Sequence, residues 1–537
     1  MSDTGVEIAT RRRAFAALVL AVAFAWSLLT VELLNDHFDR ISRGRQILVY
    51  GERPFADFRD PGYFLTLYAS AATQAASGGS LLGEAVISSA GMAAAVALTF
   101  LLAAHAAQST GIGLVAAVFT LVVAPRYYDY DKVLLYTSGL ALAWRYADRR
   151  DLGTLIVAAV VTAVASLFRY DNGIILFGVT ATTLLTCHWR EPWTLAHRTT
   201  AYGVGVVLVL TPVAIAWQQT IGLREVARQI RTYAQVEGAR TGIFTLPGLN
   251  LDTLLYYAIV ALLPLASARL VWRASRAHRE KGVLHEAPKI APVIVLGALV
   301  AAFILRDPVA ARLGAAAPMA AILAAWLAGP VVPPRGARYR ARPLVILLGG
   351  VIALGLALTL TGRSPAHVLR VSPTVTAGLT MLRELARVPP SLALLPDVQG
   401  MAGYVRACTP PGSRVLVSGF VPELYVLAER GFAGGMPVFF GGHWTSVRDQ
   451  ERTIDQLRRQ FVPLAIVDAG FTSTYDRVNA YLTSAFVSAG ISSFGNPRAP
   501  AGGYHVLLRQ GVGPTTLDSR WNLPCLSGWT PAGAGRS

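Results

Sequence analysis

Charge is scarce in this chain. Asp, Glu, Lys and Arg together make up 15% of its 537 residues, while 53% are hydrophobic. With a mean hydropathy of +0.47, that balance excludes an ordinary soluble protein of this length. Cysteine is sparser still, at three residues. Cys187 ends an apolar stretch, Cys408 and Cys525 lie in the polar C-terminal part, and no pair has metal-ligand spacing. A P-loop, a dinucleotide fingerprint, a nucleophile elbow and a zinc motif are all missing, and the glycines of the run Gly431–Gly435 have the wrong spacing for a phosphate cradle. The missing P-loop argues against an ATP-driven transporter.

Long apolar stretches recur from Ala14 to Thr361. A bilayer core takes about 20 apolar residues per helix, and windows of that kind predict about eleven spans. Open sheets cannot satisfy their backbone in lipid. The expected fold class is therefore mostly α: a polytopic transmembrane helical bundle with a C-terminal extracytoplasmic α/β domain. Ala14–Leu34 follows Arg11, Arg12 and Arg13 without a small-residue cleavage site, so it reads as a retained first span that starts in the cytoplasm. The net charge of +17 then belongs to arginine-rich cytoplasmic turns facing anionic membrane lipids, not to nucleic acid binding.

What charge exists is concentrated after that first span. The acidic outer loop expected at 35–63 carries Asp36, Asp39, Asp57 and Asp60 with five arginines, and Gly51, Pro54, Pro61 and Gly62 shape its turns. Pro61–Ala76 reads as an interfacial helix. A carboxylate there can take a proton from an attacking hydroxyl or hold a divalent metal, which makes Asp36, Asp57 and Asp60 the catalytic candidates. The plain alternative is a solvated loop whose charges pair with each other.

A second outer turn, Arg126–Lys132, holds Asp129, Asp131 and Lys132 among three tyrosines. A third, at Phe168–Gly173, holds Arg169 and Asp171 at the ends of two spans, where ionisable groups are functional suspects or a mutual ion pair. The segment 221–250 carries Arg228 and Arg231, whose guanidinium forks match phosphate or lipid headgroups. These seven are the candidates for donor and phosphate binding.

From about Gly362 the composition changes. Strands are expected at Arg414–Phe420, Pro437–Phe440, Leu464–Asp468 and Tyr504–Leu508, with helices at Pro422–Arg430, Ser446–Phe461 and Tyr475–Ala489. An odd number of spans puts this domain outside, where Cys408 and Cys525 can pair. His443 and Trp444 offer stacking and hydrogen bonding to an acceptor sugar, or a structural His-Trp pair. The domains expected are thus 1–361, transmembrane, and 362–537, extracytoplasmic.

The run Gly51-Glu52-Arg53-Pro54-Phe55-Ala56-Asp57-Phe58 followed by Asp60-Pro61, with Asp36 upstream and Asp129 and Asp131 in the second turn, resembles the GT-C superfamily of integral-membrane glycosyltransferases. Within it, the pattern is similar to bacterial relatives of the protein O-mannosyltransferases. The resemblance implies a polyprenyl-phosphate-linked sugar donor and transfer at the outer face of the cytoplasmic (inner) membrane, with inversion. It also implies a first-loop aspartate as base and basic residues on the phosphate. The adjacent Asp-Glu pair typical of the protein mannosyltransferases is replaced by Asn35-Asp36-His37, which counts against a protein acceptor and leaves lipid, glycan and small-molecule acceptors open. A non-enzymatic lipid-linked sugar flippase or a secondary transporter is the rival; that class buries charges at mid-span in paired repeats, and no repeat is visible here.

Overall fold

The apolar runs fold as helices, the form that satisfies its own backbone in lipid. The computed structural model describes residues 3–123, 126–240, 251–280, 285–303, 310–329, 371–440, 442–496, 499–500, 502–513 and 515–526. The helices up to residue 328 are α1 (Asp3–Leu29), α2 (Asn35–Tyr50), α3 (Phe64–Ala76), α4 (Leu82–Ala106), α5 (Thr110–Val122), α6 (Tyr130–Arg149), α7 (Leu152–Phe168), α8 (Tyr170–His188), α9 (Pro192–Thr220), α10 (Leu223–Arg240), α11 (Leu251–Arg279), α12 (Ala287–Phe303) and α13 (Ala317–Ala328). Among the described residues, Thr10–Leu29, Leu82–Ala106, Pro192–Thr220 and Thr253–Arg279 are long and apolar enough to cross a bilayer. The chain is a multi-pass membrane protein. Helices α5, α7, α12 and α13 fill further windows of the predicted spans but are shorter. The span expected at Leu344–Leu360, the turn at Arg306–Pro308 and the domain boundary at 361–362 lie outside the described residues.

The chain divides into two compact units. The first comprises Met1–Glu32, Val86–Ile215 and Thr241–Thr380 and is built from helices. Its core gathers Tyr136, Leu140, Leu176, Val179, Val293, Leu296, Ile322 and Leu323 from α6, α8, α12 and α13. Small residues set the close approaches: a Cβ on Gly91 of α4 would sit 2.6 Å from the Tyr130 ring, and one on Gly139 of α6 would sit 2.5 Å from Leu176 of α8.

The second unit comprises Leu33–Ala85, Ala216–Arg240 and Met381–Ser537. The structure clusters the segment after the first span and the segment 216–240 with the C-terminal part. It also corrects the loop. Asn35–Tyr50 is helix α2, ended by Gly51 in the left-handed region at φ 65°. The run contains no proline, and its charges sit on a helix that buries Phe38, Ile41, Arg40 and Arg43. Only the stretch from Gly51 to Tyr63 is irregular. Gly44 lets α3 approach closely; its Cβ would meet Ser70 Oγ at 2.7 Å, and Gln74 Nε2 donates to the Ile41 carbonyl at 3.0 Å.

The C-terminal sheet has the order β2-β1-β3-β5-β4, from β1 (Arg414–Val417), β2 (Gly431–Phe432), β3 (Leu464–Val467), β4 (Phe486–Ser492) and β5 (Tyr504–Arg509); β6 (Thr516–Asp518) and β7 (Leu523–Cys525) form a separate ribbon. β2, β1 and β3 are parallel, and β5 runs antiparallel to both β3 and β4. Both faces are covered, so the period of two sorts residues into two cores. Val415, Val417, Leu464 and Ile466 pack with Phe58 and Leu67 on one side. Leu416, Ala465 and Val467 pack with Leu457, Phe471 and Val478 on the other.

Pro437–Phe440, expected as a strand, contributes only a bridge from Phe439 to Gly419. The helix expected at Tyr475–Ala489 stops at Ala485, and Phe486 begins β4. Cys408 and Cys525 are joined in a disulfide, and the buried Cys187 is free.

Candidate functional site

The sequence candidates fall into two groups, one in each unit. In the helical unit, a short 3-10 turn at Tyr127–Asp129 leads directly into α6, and Arg169 caps α8 in an extended conformation. These two connections bring four candidates together. Lys132 Nζ lies 3.3 Å from Asp129 Oδ1, Arg169 Nη1 lies 3.9 Å from the same oxygen, and Arg169 Nε lies 2.8 Å from Asp171 Oδ1. Asp131, in the first turn of α6, is buried. Asn172, one residue beyond Asp171, is fully buried, with neither the nitrogen nor the oxygen of its side-chain amide hydrogen-bonded. An unmet buried amide of that kind costs about 1–3 kcal/mol unless a ligand or water meets it.

In the second unit the three catalytic candidates have different fates. Asp36 sits in the first turn of α2, half-exposed, where the helix N-terminus favours a carboxylate. Asp57 is committed locally: its carboxylate accepts from the Arg53 backbone at 2.8 Å and from Arg53 Nε at 3.2 Å, closing a turn. Asp60 is fully buried, and its Oδ1 accepts from the amides of Gly62 and Tyr63, which shapes the entry to α3. Burial pushes its carboxyl up to about 6, against those two hydrogen bonds, and its Oδ2 has no partner.

The irregular stretch is welded in place by a network that the sequence did not reveal. Arg59 is buried; its guanidinium donates to the carbonyls of Gly434 (3.3 Å) and Asp449, with the Asp449 carboxylate 3.8 Å away. Burial lowers the Arg59 guanidinium to about 9, helped by the nearby Arg452. Arg228 spreads between Glu225 (2.8 Å) and Asp449 (3.0 Å), so this candidate for phosphate binding is spent on two carboxylates. Arg448 and Arg452 also reach Glu225. Burial works against the Glu225 carboxylate, but hydrogen bonds from Arg228 and Gln229 outweigh it and hold the group near 2. Arg231 is exposed on α10.

His443 and Trp444 line a cleft together with Asp39, Arg43, Tyr233 and Glu237. The His443 ring stacks on Tyr233 with centroids 5.2 Å apart and planes at 26°. Its Nδ1 lies 2.9 Å from the Phe440 carbonyl and its Nε2 lies 3.0 Å from Glu237 Oε1. Trp444 is buried, with the Arg59 guanidinium 5.8 Å from its ring centroid. Sequence reasoning passed over Asp39 and Arg43, one helical turn apart on α2 and 3.1 Å apart in space, and over Tyr233 and Glu237, one turn apart on α10. Their i,i+4 spacing was the available signal.

Glu423, which stands out in the sequence beside Tyr425 and Arg430, is a buried charged site. It opens the helix Glu423–Ala428, is 8% exposed, and leaves its Oε2 unpartnered. Burial raises it to about 7, and the negative charges of Asp36 and Asp397 add to the effect. For a cation, the described residues bring only Cys408, Asp518 and Cys525 within gripping distance, and both of those sulfurs belong to the disulfide.

No protein-family profile matches the chain, and no curated protein sequence matches it. Among solved structures, the crystal structure of ArnT from Cupriavidus metallidurans bound to undecaprenyl phosphate matches with a TM-score of 0.50 and 13% identity, over 94% of this chain and 98% of that one. At that identity the likeness is one of fold, and it extends along almost the whole of both chains.

Proposed function

We propose that this chain is a membrane glycosyltransferase that moves a sugar from a polyprenyl-phosphate-linked donor to an acceptor at the outer face of the cytoplasmic membrane, with Asp36 as general base. The observation that carries the reading is the fold shared along nearly the full length with ArnT, which is bound to undecaprenyl phosphate in its crystal structure. The choice of Asp36 rests on elimination within the second unit. Asp60 is wholly enclosed and Asp57 is turned into Arg53, whereas Asp36 is half-exposed one turn before the cleft residue Asp39.

In this reading the acceptor hydroxyl gives its proton to the Asp36 carboxylate as its oxygen attacks the anomeric carbon. The bond from that carbon to the phosphate oxygen breaks, polyprenyl phosphate leaves with the electron pair, and a single displacement inverts the centre. Lys132 and Arg169 counter the donor phosphate, with Asp129, Asp131 and Asp171 balancing their charge within the apolar unit. The unmet amide of Asn172 supports a polar occupant there. The C-terminal sheet domain lies outside the membrane and positions the acceptor through His443 and Trp444.

The test is turnover in proteoliposomes with a panel of undecaprenyl-phosphate-linked monosaccharides. Asp36→Asn loses about 10²–10⁴-fold, the usual worth of a positioned base, while Asp57→Asn keeps most activity. Wild-type turnover in Asp36→Asn refutes the assignment, and absence of transfer from every donor in the panel by the wild-type protein refutes the function.

A further inference from the structure

We propose that the cleft between α2, α10 and the His443 loop is a carbohydrate subsite that seats an uncharged sugar ring of the acceptor; the proposal rests on the glycosyltransferase reading above. Three observations within the second unit carry it.

The first is a rigid aromatic platform. The stacked pair of Tyr233 and His443 is backed by Tyr63, edge-on to Tyr233 at 6.4 Å, and Tyr63 is capped by the Arg40 guanidinium at 5.2 Å. The His443 ring is held by its Nδ1 contact to the Phe440 carbonyl. Such a face suits the C–H side of a sugar ring, and its order is established before any ligand arrives.

The second is the polar edge. Glu237 beside His443 Nε2, and Asp39 beside Arg43, are two acceptor–donor couples set at different walls of one cleft. A carboxylate accepts from one hydroxyl while the ring or guanidinium nitrogen beside it meets the next, which is the demand that vicinal hydroxyls make.

The third is charge balance. Asp39 and Glu237 offset Arg43 and Arg59, and the Arg59 guanidinium is already spent on backbone carbonyls. Among the described residues lining the cleft, no excess positive charge remains to attract a phosphate or a nucleotide.

The experiment is saturation-transfer NMR on the full chain in nanodiscs. The probes are mannotriose, cellotriose and arabinotriose, with glucose 1-phosphate and inorganic phosphate as anionic comparators. At least one neutral trisaccharide binds the wild-type protein. Tyr233→Ala and Glu237→Gln weaken that binding by about tenfold or more, the worth of a lost stacking face or charged hydrogen bond. Tyr233→Phe retains it, which separates loss of the ring from loss of the fold. Asp36→Asn binds like wild type while losing turnover. The proposal is overturned if no neutral probe binds, if inorganic phosphate displaces the bound sugar, or if Tyr233→Ala and Glu237→Gln bind normally. Turnover retained by Asp36→Asn overturns the base assignment instead, whatever the binding shows.

Discussion

Replacing Glu423 by glutamine separates the charge of a buried carboxyl from its shape. Glu423 is enclosed at the start of its helix and its Oε2 has no partner. Among the described residues its surroundings offer no compensating cation: Asp36 and Asp397 add negative charge, and Tyr425 and Tyr504 are phenols. Its folded value of about 7 lies above the unfolded value of 4.5. A carboxyl raised in this way contributes stability that is fully present below the unfolded value and is lost as pH rises through the folded one. The difference corresponds to about 3 kcal/mol, given up mainly between pH 4.5 and 7. Glu423→Gln therefore matches the wild-type protein at pH 4 and exceeds it at pH 8 by about 3 kcal/mol. At roughly 2–4 °C per kcal/mol, the variant's Tm gains about 6–12 °C at pH 8. The assay is thermal unfolding of the detergent-purified protein across this pH range. Asp60, raised from 3.8 to about 6, gives a parallel fall that the Glu423→Gln variant retains. Identical pH slopes for the variant and the wild-type protein refute the reasoning, because they mean that Glu423 is ionised at no cost.

Arg59→Met removes the donor to the Gly434 and Asp449 carbonyls and costs about 3–5 kcal/mol, read as a fall in Tm; Arg59→Lys restores little, since one ammonium cannot reproduce the fork. Cys408→Ala opens a loop of sequence separation 117 and lowers stability by about 2–5 kcal/mol, and dithiothreitol brings the wild-type protein to the same Tm. Lys132→Gln raises KM for the lipid-linked donor by about tenfold or more with a smaller effect on kcat, checked by initial rates in proteoliposomes.

The membrane class was legible because apolar length survives any arrangement of the helices. So were β1, β3 and β5, each a short apolar run between turns. The helix α2 was not, because such a density of charge in so apolar a chain signals a loop; the charges are buried in pairs, Arg43 with Asp39 and Arg40 over Tyr63, which composition alone does not reveal. β4 was read as a helix continuing past Ala485, since Phe486-Val487-Ser488-Ala489 carries no breaker and its pairing with β5 is a tertiary fact. Among candidate residues, Asp129 and Lys132 stand out in one charged turn and Arg169 and Asp171 in another, but that the two turns meet is a tertiary fact. The cleft was not, because its walls come from segments near residues 39, 233 and 443.

That dispersal has a consequence for how the protein is made. Phe58 and Arg59 are synthesised early, yet Phe58 packs on Phe432 and Arg59 waits for a carbonyl 390 residues further on. The ribosome must thread several membrane helices between those events. Until the last strands emerge, the segment after the first helix has its aromatic and cationic side chains exposed, and its closure is a late, long-range step with a large loop to shut. Slowed elongation or early termination then strands an adhesive, half-finished unit. A chaperone that shields residues 51–63 during synthesis, or a C-terminal fragment supplied in trans, would act at that interval.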